Sequence, residues 1–319
     1  MQDRLGRNKL MFGSKSCFLG FDIGGTKIAC GLLNEEYAVM DKLSCAFEPL
    51  GEGGIAQSML ELAKKLCSKA GIGMESIRAV GVCIPGSVDT ERGIVIDAYN
   101  LSLHDSNFRE TVEKRFHIKT ALLNDADAAA LAEARIGALS AVKNSMLVTI
   151  GTGIGVGIIL GGNLFHGGRG LGVEAGHAVM DIHGDECTCG RFGCVETLCS
   201  ASWLQSKAKA ALGQDASIPM LVKLAKAGDP VCAAIWNEFA FNLGNALASY
   251  VNILDPEMIA LGGGVSGVGE FLLSSIRDHV DKGSFFRPQT PVVIASLGND
   301  AGLAGACIYA DEQQRNCEQ

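Results

Sequence analysis

Long apolar runs are missing. No stretch reaches the roughly 18–20 apolar residues a bilayer crossing needs. The polar, basic stretch Met1–Ser16 has no apolar centre of the secretory kind. The expectation is a cytoplasmic chain with no membrane partner and a disordered leader over 1–16. Surplus positive charge is missing too: 27 Lys and Arg against 35 Asp and Glu give a net charge of −8. That balance speaks against bulk nucleic-acid binding, because phosphate backbones are gripped mainly by Lys and Arg. A nucleotide substrate stays open, since backbone N–H groups, a few local cations and a metal ion can hold a triphosphate on an acidic protein. Proline is scarce, with 7 residues against 41 glycines, so glycine marks the joints. The remaining composition, 48% hydrophobic and 19% charged over 319 residues, is that of a folded chain of about two domains.

Two common nucleotide fingerprints are also absent. The Walker pattern fails because Thr26 stands where its Lys should be, although Gly20 and Gly25 have the right separation. The dinucleotide fingerprint fails because strand-type residues, not a helix, follow Gly151-Thr-Gly-Ile-Gly-Val-Gly157.

What is present is a repeated strand, glycine turn, strand unit. Cys17–Asp22 and Lys27–Leu33 flank Asp22-Ile-Gly-Gly-Thr-Lys27, and Met146–Ile150 and Gly155–Leu160 flank the second turn. Glycines let backbone N–H groups approach an anion closely. In the first loop Gly20, Gly24 and Gly25 supply that approach, Thr26 a hydroxyl, Lys27 a cation and Asp22 a carboxylate suited to Mg²⁺. Gly151, Thr152, Gly153, Gly155 and Gly157 supply the second loop, and Gly262, Gly263 and Gly264 a third cluster. A plain hairpin turn with a surface Lys uses the same residues, and the third cluster reads equally as a simple turn. The repeat suggests two related α/β domains facing one cleft, with further helices over Ile55–Ala70, Phe108–Phe116, Asn124–Ile136, Ser202–Leu212, Ile218–Lys226, Val231–Leu254, Gly269–Val280 and Ala301–Glu312.

Twelve cysteines are present. Nine are scattered among apolar neighbours and read as reduced, mostly buried thiols. Cys187, Cys189 and Cys194 cluster, and with His177 they make a ligand set of the structural Zn²⁺ type. Gly190 and Gly193 let the backbone fold tightly around such an ion, pinning a loop that holds Glu174, His177 and Glu196. A reduced Cys-rich loop or a redox pair is the competing reading.

Asn124-Asp125-Ala-Asp127 stands where a strand ends and a helix begins. An Asp there can take the proton of an attacking alcohol. Equally, Asp125 and Asp127 can do no more than complement the helix dipole.

These motifs, together with Ile84-Pro-Gly86, Glu174-Ala-Gly-His177, Cys187-Thr-Cys-Gly-Arg-Phe-Gly-Cys194 with Glu196, Leu261-Gly-Gly-Gly264 and Asp300-Ala-Gly-Leu303, carry a resemblance. From Phe18 to Ala310 the chain resembles the ROK family of bacterial sugar kinases, repressors and open reading frames. The resemblance implies an α/β, actin-like ATPase (ribonuclease H-like) fold of two domains with an interdomain cleft, divided as 17–123 plus 300–319 and 124–299. It implies an ATP:hexose phosphotransferase with ATP, Mg²⁺ and structural Zn²⁺. Asp125 is then the general base, and Asn100, Asn124, Asp125, Glu174, His177 and Glu196 hold the sugar. The segments Gly20–Lys27 and Gly151–Ile158 resemble those that bind ATP. Glucose leads as substrate; N-acetylglucosamine, N-acetylmannosamine, allose and fructose are alternatives, and a non-catalytic sugar-sensing regulator is the alternative of another class. A homodimer or homotetramer is expected.

Three departures stand out. Val156 replaces a usual glycine and is expected to narrow or stiffen the second loop. Asn100-Leu-Ser-Leu103 lacks the Gly-Trp of the family's glucose kinases and is closer to the Asn-Leu-Pro-Leu of its allose kinases. Only 21 residues precede Asp22, which is short for the DNA-binding segment of the family's repressors.

Overall fold

The structure, a computed structural model, describes residues 17–47 and 51–318. The leader expected over 1–16 lies outside the described residues. The chain opens with an antiparallel meander, β1 (Cys17–Ile23), β2 (Lys27–Leu33) and β3 (Val39–Ala46). Then follow α1 (Gly51–Ala70), β4 (Ile77–Ile84), the short strands β5 (Ser87–Asp89), β6 (Ile94–Ala98) and β7 (Leu103–Ser106), α2 (Phe108–Phe116) and β8 (Thr120–Asn124). Helix α3 (Asp125–Ile136) leads to a second meander, β9 (Ser145–Ile150), β10 (Ile154–Leu160) and β11 (Asn163–Leu164). After a long irregular stretch come α4 (Glu196–Cys199), α5 (Ala201–Leu212), α6 (Ile218–Lys226) and α7 (Pro230–Leu254). The chain closes with β12 (Met258–Gly262), α8 (Glu270–Gly283), β13 (Val292–Ile294) and α9 (Ala301–Glu318).

The two large sheets have one topology. The first runs β3-β2-β1-β4-β8 and the second β11-β10-β9-β12-β13. In each, the first three strands pair antiparallel and the last two add in parallel. The repeat legible around the two glycine turns is therefore a repeat of the whole sheet. The strands β5-β6-β7 form a small separate sheet that the sequence reading missed.

Small residues bring these layers together. Gly31, Gly20 and Gly81 are in register across β2, β1 and β4. A Cβ on Gly20 would lie 2.6 Å from Leu303 O, and one on Gly81 would lie 2.1 Å from the backbone of Ala306. The glycine row is a groove that seats α9. On the second sheet Gly155 and Gly157 do the same for α3, where Ala126 and Ala130 lie against them. The two helices then meet each other, with Gly305 of α9 pressed on the Ala128 carbonyl. The layers are thus sheet, α9, α3, sheet.

Capping follows the sequence. Asn124 Oδ1 accepts from the Ala126 and Asp127 amides at the start of α3, and Asp229 with Pro230 opens α7. Helix α7 buries Trp236, Phe239, Leu243 and Leu247 in the core of the second half. Each such side chain contributes roughly 1.5–3 kcal/mol on burial. Among the described residues no helix is long and apolar enough to cross a membrane.

Candidate active site between the two sheets

The turns of the two meanders and the end of β12 open on one region. The β1–β2 turn is closed by the Gly24 amide donating to Lys27 O (2.9 Å) and the β9–β10 turn by Gly151 N–H to Gly153 O (3.0 Å). A cleft of about 750 Å³ has Asp22, Gly24 and Lys27 in one wall and Thr149, Gly262 and Gly263 in another. A second cavity of about 830 Å³ is lined by Gly151 and Thr152, by Gly264 and Val265, and by Pro219 and Lys223 of α6. Gly263 borders the first space and Gly264 the second, so the third glycine cluster joins the two.

Asp125 stands in the cleft at the N-terminus of α3. It is open to the cleft, yet the walls crowd it and withhold water. That desolvation is the main reason its pKa is raised to about 6; the Ala126 amide opposes it at 2.8 Å, and the charges of Asp22, Glu174 and Asp127 add to it. Asp22 is also shifted upward by burial, against the pull of the Cys83 S–H and Lys27. Glu174 moves up by burial, with His177 opposing and Asp127 and Glu196 reinforcing. Five carboxylates, Asp22, Asp125, Asp127, Glu174 and Glu196, thus form a chain of interacting charges, and Lys27 and Lys42 bring cations to the cleft wall.

The remaining predicted residues fall in two groups. Asn100 lies beside the first loop, its Cβ 3.2 Å from where a Gly25 side chain would begin. Gly25 and exposed Thr26 form the crest of that turn. Asn124 uses Oδ1 to cap α3 and donates from Nδ2 to Gly86 O at 2.9 Å, which ties the Ile84-Pro-Gly86 motif to the start of α3. Glu196 Oε2 lies against Gly153 and accepts from the Ile154 amide. By contrast, Gly20, Gly155 and Gly157 are packing glycines set against α9 and α3, and none lines either cavity. Val156 likewise corrects an expectation. It does not narrow the loop; it sits in β10 opposite Val148, 2% exposed, with its side chain in the core of the second half.

His177, Cys187, Cys189 and Cys194 come together with all four donor atoms within 4.8 Å of one another. Cys187 Sγ is 3.4 Å from His177 Nδ1, and Cys189 Sγ is 3.6 Å from Cys194 Sγ. A tetrahedral Zn²⁺ with Zn–S near 2.3 Å separates sulfurs by about 3.8 Å, so the set fits that ion. Proton sharing points the same way. The Cys189 thiol is shifted down, its burial penalty outweighed by the Arg191 N–H groups and the neighbouring thiols, and Cys194 is shifted up by burial and by Cys189 and Cys187. Ionising all three needs a cation among them. Gly190 and Gly193 take the positive φ (+82° and +68°) that folds the loop; a Cβ on Gly193 would strike Asp181 O. Cys30, Cys67, Cys83, Cys199, Cys232 and Cys307 are buried, and Cys45 is half-buried.

Sequence reasoning missed Glu133. This fully buried carboxylate on α3 accepts from the Leu297 amide (2.7 Å), Ser296 Oγ (3.0 Å) and the Ala138 amide (2.7 Å). It fastens the segment before α9, which lines the cleft, to the helix that bears Asp125. A Glu in an alanine-rich helix gives no signal of this, because Ser296 and Leu297, the partners that reach the segment before α9, are more than 160 residues away.

The ROK family profile matches residues 18–313. A glucokinase of Halalkalibacterium halodurans is 31% identical, covering 95% of this chain and 97% of its own length. A xylose repressor of Caldicellulosiruptor bescii is 30% identical over 84% of this chain and 70% of its own length. Among solved structures, a ROK family glucokinase from Streptomyces griseus in complex with glucose and AMPPNP superposes with a TM-score of 0.81 at 32% identity, covering 93% of this chain and 99% of that one.

Proposed function

Since the chain belongs to the ROK family and has its actin-like, two-sheet α/β fold, we propose that it is an ATP-dependent hexose kinase, with glucose as the leading substrate. The observation that carries this reading is Asp125, raised to about 6, standing in the cleft that Asp22, Lys27 and Gly263 also line. The glucose and AMPPNP held by the Streptomyces griseus relative support the substrate pair.

The nucleoside fits the larger, mostly apolar cavity beside α6, with Lys223 in its wall. Its phosphates would cross Gly262–Gly264 toward Lys27. Asp22 would hold Mg²⁺ directly or through its waters, and the ion would offset phosphate charge. Asn100, Asn124, Glu174, His177 and Glu196 would orient the hexose. The Nδ1 of His177 faces Cys187, which leaves Nε2 for a sugar hydroxyl. Zn²⁺ would be held by His177, Cys187, Cys189 and Cys194 and serve as a structural ion. The hydroxyl oxygen attacks the γ-phosphorus, its proton passes to the Asp125 carboxylate, the bond from γ-phosphorus to the β-phosphate oxygen breaks, and ADP leaves. Positioning and charge stabilisation supply most of the rate in such transfers. The proposed division, 17–123 with 300–319 against 124–299, is supported by α9 seating on the first sheet and α3 on the second.

A coupled ADP-release assay across glucose, N-acetylglucosamine, N-acetylmannosamine, allose and fructose tests this. Glucose is expected to give the highest kcat/KM. Sugar binding with no ADP released from any hexose would favour the sugar-sensing reading instead.

A further inference from the structure

The segment that brings the Glu174 charge within reach of Asp125 is built to be floppy. Residues 167–172 include four glycines, three of them (Gly167, Gly170 and Gly172) at positive φ. Ordering such a stretch loses more backbone freedom than ordering any other composition. Its ends are drawn together by the Gly172 amide donating to His166 O at 2.9 Å. Holding Glu174 still therefore calls for something firm beneath that closure.

Asp127 supplies it. This carboxylate is buried on α3, two residues beyond Asp125, and among the described residues no Lys or Arg pairs with it. His166 Nδ1 lies 3.8 Å from Asp127 Oδ2. That nitrogen is itself buried and makes no hydrogen bond. The imidazole stands edge-on to Tyr309 of α9 (centroids 5.7 Å apart, 65°). The other end of the loop meets the same carboxylate, with a Cβ on Gly172 falling 3.6 Å from Asp127 Oδ2. A buried carboxylate without a cation is strongly disfavoured, and a protonated imidazole at this distance relieves it.

We propose that His166 is a positioning residue: carried as a cation on the buried Asp127 carboxylate, it clamps the glycine segment to the start of α3 and so holds Glu174 near Asp125. This deepens the kinase reading and rests on it. The charged and titratable groups facing the pair are Asp125 on α3, Glu174 on the segment, and Tyr309 on α9 with Arg109 beyond it. Asp127 adds to the upward shift of both Asp125 and Glu174, and the His166 cation offsets that charge.

The test is the pH dependence of kcat/KM for the hexose in the full-length, zinc-loaded protein. Asp127→Asn removes a negative charge and is expected to move the acid limb down by about half a unit. His166→Gln removes the offsetting cation and should move it up by a similar amount, while KM for the hexose rises about tenfold and KM for ATP stays within about twofold. A purely structural pair would not give shifts of opposite sign. Imidazole NMR of His166 reads the contact without turnover, and its titration midpoint should fall in Asp127→Asn. Acid limbs that do not move, or that move together, or a His166 midpoint unchanged by Asp127→Asn, overturn the proposal. A normal midpoint shift in a protein that phosphorylates no hexose sinks the kinase reading while leaving the clamp in place.

Discussion

Glu196 Oε2 accepts a hydrogen bond from the Ile154 amide at 3.1 Å, and its Oε1 lies 3.8 Å from Cys187 Sγ. One carboxylate thus fastens the cysteine cluster to the second glycine loop. The cluster is also tied to its own histidine, since Arg191 donates to His177 O at 2.6 Å. A metal bound there would fix the position of the second glycine loop and of His177 together.

The first prediction follows from that linkage. Cys189→Ser removes the exposed ligand and is expected to release about one equivalent of zinc on mild chelation, where the parent retains it. Activity should fall at least tenfold and KM should rise for both ATP and hexose, because Glu196 and His177 loosen together. Elemental analysis alongside steady-state kinetics checks it. Zinc content and kinetics that both match the parent would detach the cluster from the active site.

Glycines that look alike in sequence should respond differently. An alanine at Gly157 would place its Cβ 2.4 Å from Ala130 Cβ and 2.6 Å from Ala126 O, whereas one at Gly151 meets nothing within 4 Å. Gly157→Ala is expected to lower stability by about 1–3 kcal/mol through overpacking, with little selective effect on KM for ATP. Gly151→Ala should melt like the parent and raise KM for ATP. Denaturant titration and kinetics on the pair separate packing from ligand contact.

Much of this was legible because it is local. The turns at Gly24 and Gly151, the Asn124 cap and the ligand spacing from Cys187 to Cys194 are each set within a few residues, and the helices read over Phe108–Phe116 and Ile218–Lys226 stand as the structure has them. Gly20, Gly155 and Gly157 were misread for a physical reason. A glycine that admits a phosphate and a glycine that admits a helix both need a missing Cβ, and only tertiary structure tells which neighbour fills the space. The strands β5, β6 and β7 escaped notice because they are three to five residues long and pair only with one another. Glu133 and the His166–Asp127 contact join residues far apart in sequence, which no local pattern encodes.

Glu133 yields a prediction of its own. Glu133→Ala leaves the Leu297 and Ala138 amides and the Ser296 hydroxyl without their acceptor. Buried groups left unpaired cost about 1–3 kcal/mol each when water cannot replace the partner. The expected loss is at least about 2 kcal/mol in urea unfolding, with a raised KM for ATP because residues 298–302 line the cleft. Stability equal to the parent would mean that the segment before α9 finds other partners.

Asp125→Asn brings activity and stability into opposition. The general base acts only when ionised, so kcat/KM in the parent should climb with pH through about 6 and level off above it. Removing the base is expected to lower kcat by about 10²–10⁴ while hexose affinity stays within a few-fold. The stability sign follows from linkage. The folded-state pKa lies above the ordinary carboxylate value, so the folded protein binds more protons than the unfolded chain between about 4 and 6. Ionisation of Asp125 therefore disfavours the fold, fully so only above about pH 6. The asparagine variant cannot ionise, and it should melt above the parent at pH 7.5 and level with it near pH 4. Thermal melts at the two pH values check this. A variant less stable than the parent at pH 7.5 would show that the carboxylate is held by favourable contacts, and that the crowded cleft does not strain it.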